Sequence, residues 1–142
     1  MNIGDMLFGF RGRINRAKYW LTFAIWLTLW ILILAFVLVS EFSAASLILA
    51  AVVFIPSAWS GIAVGIKRLH DREQSGWWLL LFYLAPAILD AAARSAGALE
   101  TVFSVASLAV TIWAIVVLGF LRGTIGPNAY GADPVAPRLA AH

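Results

Sequence analysis

The sequence has no cysteine, only two histidines, and very little charge. Without thiols there are no disulfides and no thiolate metal sites, and the redox compartment is left unmarked. The shortage of charge says more. Asp, Glu, Lys and Arg make up 12% of the 142 residues and hydrophobic residues 63%, against roughly 25% charged in ordinary globular domains. A soluble fold of this length needs more polar surface, so the apolar excess has to face lipid or a large partner. There is no internal repeat and no low-complexity segment. The N-terminus does not read as a cleaved signal peptide, because eighteen residues precede an apolar run longer than a signal h-region. The length is that of one domain.

The charges are also unevenly spread. Tyr19–Ser40, Phe42–Ile66, Gln74–Leu89 and Thr101–Leu121 contain no Asp, Glu, Lys or Arg; they are 22, 25, 16 and 21 residues long. A spanning helix needs about 20 apolar residues, so three windows pass on length and the third is short. The expected fold is an all-α membrane protein. It is a four-helix transmembrane bundle forming a single integral membrane domain over 1–142, with spans at about 19–40, 44–66, 77–93 and 101–121. A short interfacial segment precedes it, carrying Ile3, Met6, Leu7, Phe8 and Phe10, and a Gly/Pro-rich C-terminal loop follows.

Lys and Arg set the orientation. With four spans, Arg11, Arg13, Arg16, Lys18, Lys67, Arg68, Arg72, Arg122 and Arg138 fall on one side and Arg94 alone on the other. This favours both termini in the cytoplasm. The same count argues that 77–93 crosses, since otherwise Arg122 and Arg138 would lie outside. Asp90 falls near the outer end of that span, four residues from Arg94, with which it can pair. Asn15 can cap a helix beginning at Arg16. Trp20, Trp77 and Trp78 fit an inner aromatic belt, while Trp26, Trp30, Trp59 and Trp113 lie deeper as packing residues. Ser57, Gly61 and Gly65 form a small-residue ridge expected to meet another helix. Ser104, Ser107 and Thr111 share a face and read first as packing residues with hydroxyls bonded to backbone, and second as a polar lining for a permeation path.

Three polar segments then reach one side: Phe10–Arg16, Lys67–Trp78 and Gly126–Pro134. The arginines of the first read as a positive-inside anchor touching anionic headgroups. In the second, Asp71 can pair with Lys67 at i, i+4 or with Arg68 at i, i+3. His70 reads as an interfacial hydrogen-bonding residue. It forms no relay with Asp71, because neighbouring helical side chains point about 100° apart. The third is a loop in which Asn128 and Asp133 can close Asx turns and Asp133 can fold back onto an arginine. It lacks the Gly-Lys-Ser/Thr of a phosphate loop. Residues after Pro137 are expected to be loose.

Taken together, Gly12-Arg13-x-x-Arg16, Arg68-Leu69-His70-Asp71 with Ser75-Gly76-Trp77-Trp78, and Gly126-x-Asn128-x-Tyr130-Gly131-x-Asp133-Pro134 resemble the domain-of-unknown-function 805 family of small bacterial inner-membrane proteins. The resemblance covers about Phe10 to Pro134. It implies a multi-span inner-membrane fold and no established activity.

The residues expected to contact a ligand or partner on the cytoplasmic face are Arg13, Arg16, Arg68, His70, Asp71, Asn128, Tyr130 and Asp133. No catalytic residue, metal ion, cofactor or nucleic acid is expected. The leading reading is a non-catalytic protein that binds an anionic lipid headgroup or a membrane protein partner, including another copy of itself. The alternatives are an oligomeric small transporter or channel subunit using Asp90 and the Ser104–Thr111 stripe, and a lipid-headgroup enzyme with His70 as base.

Overall fold

In a computed structural model the described residues run from 2 to 135, so Arg138 and the tail after Pro137 lie outside them. Five α-helices follow one another: α1 (Ile3–Phe8), α2 (Arg16–Val39), α3 (Ala44–Asp71), α4 (Trp78–Ala93) and α5 (Glu100–Ile115). A 3₁₀ turn, Gly97–Leu99, leads into α5, and a π-helical turn, Val116–Phe120, carries α5 onward. Among the described residues there is no strand, only an isolated antiparallel bridge between Asn128 and Gly131.

Local chemistry sets the helix ends. The Asn15 side chain accepts from the Lys18 amide at 2.9 Å, so α2 starts three residues ahead of its charge-free window. The Asn2 side chain does the same for α1, accepting from the Asp5 amide at 2.7 Å. At the end of α3 the Gln74 amide reaches back to the Leu69 carbonyl and Glu73 adopts φ +59°. This is a Schellman-type stop with a non-glycine residue in the left-handed position.

Three helical stretches are long and apolar enough to cross a membrane: Arg16–Val39, Ala44–Asp71 and Gly97–Phe120, with mean hydropathies of 2.6, 2.2 and 2.3. The fourth, α4, is apolar but has only 16 residues. The 28 residues of α3, at a rise of 1.5 Å each, make about 42 Å against a hydrocarbon layer of about 30 Å. That leaves length to spare for the polar last turn Lys67–Asp71.

Packing centres on α3. Helices α1, α2 and α4 pack on it, α4 pairs with α5, and the π turn touches both α2 and α3. The outer surface is apolar: Leu32, Ile48, Ile55, Ile88 and Val105 are all more than half exposed, while Lys67 and Arg68 are at 0%. This is the reverse of a soluble domain.

Some contacts differ from the sequence expectation. The small-residue ridge meets a neighbour only at Gly65, where an added Cβ would lie 2.8 Å from Leu79. At Gly61 the nearest atom is the Tyr83 hydroxyl at 3.8 Å, because α4 diverges from α3 there. The hydroxyl stripe of α5 is bonded to backbone, with Ser107 donating to the Pro86 carbonyl at 3.3 Å and Thr111 to the Ser107 carbonyl at 3.0 Å. Asp90 and Arg94 form no ion pair. Both are exposed at the far end of the bundle, and among the described residues both ion pairs belong to Asp71. An exposed pair gains too little to hold two side chains together.

Candidate functional site

At the other end of the bundle, Asp71 is the meeting point of all three polar segments. It stands on the last residue of α3, and its carboxylate is shared by two arginines. Arg68, one turn earlier, donates from NH1 to Oδ2 at 2.6 Å, and Arg13, from the segment before α2, donates from Nε to Oδ1 at 3.1 Å. Side-chain exposure is 0% for Arg68, 1% for Arg13 and 4% for Asp71. Two cations and one anion leave a net buried charge, which is costly unless the other donors are satisfied.

Backbone carbonyls satisfy them. Arg13 NH1 donates to Gly126 at 2.6 Å and Arg13 NH2 to Thr124 at 2.6 Å. Arg68 Nε donates to Leu118 at 2.7 Å and its NH2 to Leu121. Leu118 and Leu121 are available because the helix ends at Phe120, and the last carbonyls of a helix have no partner within it. Besides Leu118 and Leu121, Gly119 accepts from Trp20 Nε1 at 3.0 Å and Phe120 from Arg16 NH1 at 3.0 Å.

The loop after α5 seals the hub. Thr124 donates both its amide, at 2.8 Å, and its hydroxyl, at 3.1 Å, to the Asp71 carbonyl. Asn128 Nδ2 donates to the His70 carbonyl at 2.9 Å, and Asn128 Oδ1 accepts from the Tyr130 amide at 2.9 Å. The latter is an Asx turn. A second closes where Asp133 Oδ1 accepts from the Val135 amide at 2.9 Å, and Asp133 Oδ2 also accepts from the Gly126 amide at 2.9 Å. Gly123 has to be glycine for steric reasons: a Cβ there would collide with the Asp71 carboxylate and lie 2.8 Å from its carbonyl.

All eight residues expected at the site are therefore at this end, in different roles. Arg13, Arg68, Asp71 and Asn128 are turned inward and tie the three segments together. Arg16 is exposed. His70 stacks flat on Tyr130, with ring centroids 3.9 Å apart and 6° between planes. Asp71, its sequence neighbour, faces the arginines.

Of the two pairings open to Asp71 in the sequence, the one with Arg68 forms and the one with Lys67 does not. The Lys67 Nζ donates instead to the carbonyls of Asp5 and Met6 at 2.6 and 2.7 Å, closing the C-terminal end of α1, because α1 docks against this face of α3. The parts that sequence reasoning missed are the Lys67 anchor, Thr124, the Gly123 contact and the π turn. Only the glycine gave a signal.

Two cavities flank the hub. A smaller one, about 430 Å³, has Asn15, Arg16, Arg122 and Thr124 among its walls. A larger one, about 1340 Å³, is a mostly apolar groove between α2, α3 and α4 that begins at His70, Ser75 and Tyr130.

Known proteins are similar to this chain in sequence. "Uncharacterized protein YiiR" of Escherichia coli (strain K12) is 33% identical, covering 94% of this chain and 90% of its own length. "Inner membrane protein YhaH" of the same organism is 33% identical, covering 89% of this chain and 87% of its own. "Inner membrane protein YhaI" is 30% identical, covering 89% and 86%. No solved structure matches. The family described as "Protein of unknown function (DUF805)" matches residues 7–132, a range that takes in Arg13, Asp71 and Asn128, and the chain belongs to that family.

Proposed function

We propose that the chain is a multi-pass protein of the bacterial inner membrane with four spans and both termini in the cytoplasm, and that it acts without catalysis by binding anionic lipid headgroups. The observation that carries this reading is the convergence on Asp71. The start of α2, the end of α3 and the segment after α5 meet there, so α2 and α3 form one out-and-back pair and α4 and α5 another. Even crossings put both ends of the chain on one side. At that end lie Arg11, Arg13, Arg16, Lys18, Lys67, Arg68, Arg72 and Arg122, against Arg94 at the other, the bias expected of a cytoplasmic face. The short α4 is accommodated by local thinning of the bilayer at modest cost. Two of the relatives above are themselves named inner membrane proteins.

Arg13 and Arg68 have spent their donors internally, so headgroup contact falls to the exposed Arg11, Arg16 and Arg122. Arg16 and Arg122 share the smaller cavity beside the hub. Each basic residue near an anionic surface contributes on the order of 1 kcal/mol.

The test is native mass spectrometry of protein purified from mixed phosphatidylglycerol and phosphatidylethanolamine membranes. Enrichment of phosphatidylglycerol is expected, and its loss in the combined Arg11→Gln, Arg16→Gln, Arg122→Gln variant. Equal lipid ratios in the two proteins would overturn the headgroup assignment, as would a co-purifying protein lost in that variant in place of lipid. The absence of cysteine makes topology directly measurable. A single cysteine at Arg94 should react with an impermeant maleimide in intact spheroplasts and one at Asn2 only after lysis; the reverse pattern would refute the orientation.

A further inference from the structure

We infer that the groove between α2, α3 and α4 is a lipid site that holds one hydrocarbon chain of a glycerolipid, with the Tyr19 and Tyr83 hydroxyls taking its ester carbonyls. The inference rests on the membrane placement proposed above and is independent of the headgroup preference.

The groove has room for such a chain. Its volume of about 1340 Å³ exceeds the roughly 300–1,000 Å³ of pockets that take drug-sized molecules. Along α3 it runs from His70 to Phe54, sixteen residues or about 24 Å at the helical rise. One leaflet of the hydrocarbon layer is about 15 Å thick, so the groove follows a chain through a whole leaflet. Gly61 and Ala58 line it on α3, Trp26 and Trp30 on α2, and Leu80 and Leu84 on α4.

Thr22, Trp26, Ser57 and Ser75 also line the groove and are hydrogen-bonded within the chain, which leaves three polar groups toward its hub end without partners. His70 lines the mouth, and its Nδ1 is buried with no hydrogen-bond partner. Tyr19 is the fourth residue of α2 and Tyr83 the sixth of α4, about 4.5 and 7.5 Å of helical rise from their starts. Neither hydroxyl has a hydrogen bond among the described residues. At that depth the headgroup zone gives way to hydrocarbon, which is where the ester carbonyls of a glycerolipid lie. Buried polar groups take partners, and ester carbonyls accept what tyrosine donates.

A transmembrane helix from a second copy fits less well. Its backbone carbonyls already accept within the helix and take a hydroxyl only as a second bond, as Pro86 does from Ser107. Water fits the mouth and not the apolar length.

Gly61→Leu tests the groove directly. A Cβ at 61 has only the Tyr83 hydroxyl, at 3.8 Å, within 4 Å, and the position lines the groove, so added bulk is directed into it. The readout is native mass spectrometry through a series of increasingly stripping detergents. The wild-type protein should keep one glycerolipid per chain. Gly61→Leu should lower that occupancy by about tenfold or more for every headgroup class, with unchanged circular dichroism. The Tyr19→Phe/Tyr83→Phe pair should lose the preference for ester-linked over ether-linked phospholipid that the wild-type protein shows. Should Gly61→Leu not fold, the tyrosine pair decides alone.

Four results would overturn the inference: a wild-type protein that holds no lipid, retained occupancy in Gly61→Leu, retained ester preference in the tyrosine pair, and a lipid-free dimer that Gly61→Leu disrupts. The two lipid proposals separate cleanly. The arginine variant changes headgroup ratio at constant stoichiometry, and the groove variant changes stoichiometry at constant headgroup ratio.

Discussion

Replacing Asp71 by asparagine keeps the size of the side chain and removes its charge. Arg13 and Arg68 then sit at 1% and 0% side-chain exposure with no carboxylate between them. Two bonds to a charged acceptor, at 3.1 and 2.6 Å, are each worth about 1.5–3 kcal/mol, together about 3–6 kcal/mol. Breaking a buried pair by removing one partner costs about 3–5 kcal/mol, so the two estimates agree. The carbonyl bonds to Leu118, Leu121, Thr124 and Gly126 survive and the asparagine oxygen accepts one bond, which places the loss at the lower end, about 3 kcal/mol. That is roughly two decades in the unfolding equilibrium at 1.4 kcal/mol per decade, and a large share of a total stability of about 5–15 kcal/mol. The assay is equilibrium unfolding in micelles followed by tryptophan fluorescence, combined with the same substitution in an Arg13→Ala background. A loss below about 1 kcal/mol would refute the structural role of the hub. So would an equal loss in both backgrounds, because residues in contact must show coupling.

Gly123→Ala should cost about 1–3 kcal/mol through overpacking against the Asp71 carboxylate, measured in the same unfolding assay. Lys67→Met removes the cation that closes α1 and should raise amide exchange over Ile3–Phe8 while leaving α4 and α5 unchanged; unaltered exchange in α1 would count against the anchor. Ser60→Ala removes the acceptor of the 2.9 Å bond from Trp26 Nε1, a loss of about 0.6–1.7 kcal/mol by comparison with interhelical hydrogen bonds in other membrane proteins. Glu73→Gly relieves a left-handed residue at the end of α3 and should raise stability by about 1 kcal/mol; a fall would show that the Glu73 side chain has a role of its own.

The helices were largely legible because their causes are local. Charge-free windows of bilayer length, and Asn15 three residues before Lys18, act within one turn of chain. The Asx turns at Asn128 and Asp133 were legible for the same reason. The partner of Lys67 was not. Asp71 is available at i+4, but the ammonium takes the end of α1, more than sixty residues earlier in the chain, because docking fixes α1 there. The fate of Arg13 was equally hidden, since beside the Asp71 carboxylate its acceptors are carbonyls of residues 124 and 126, and a carbonyl carries no mark in a sequence.

The sequence by itself determined that this chain is helical and apolar along its length, that its charge gathers at one end of the helices, and that its three polar motifs match one family. Those properties follow from composition and short-range spacing. Only the tertiary structure decided what the scarce charges do. It turned Arg13, Arg68 and Lys67 inward onto a carboxylate and backbone carbonyls, left Arg11, Arg16 and Arg122 outside, and opened a groove where α4 parts from α3 at Gly61. Each of these depends on which helix ends meet in space. The low charge that marks the sequence is thus spent in part on holding the helix ends together, through Arg13, Lys67, Arg68 and Asp71.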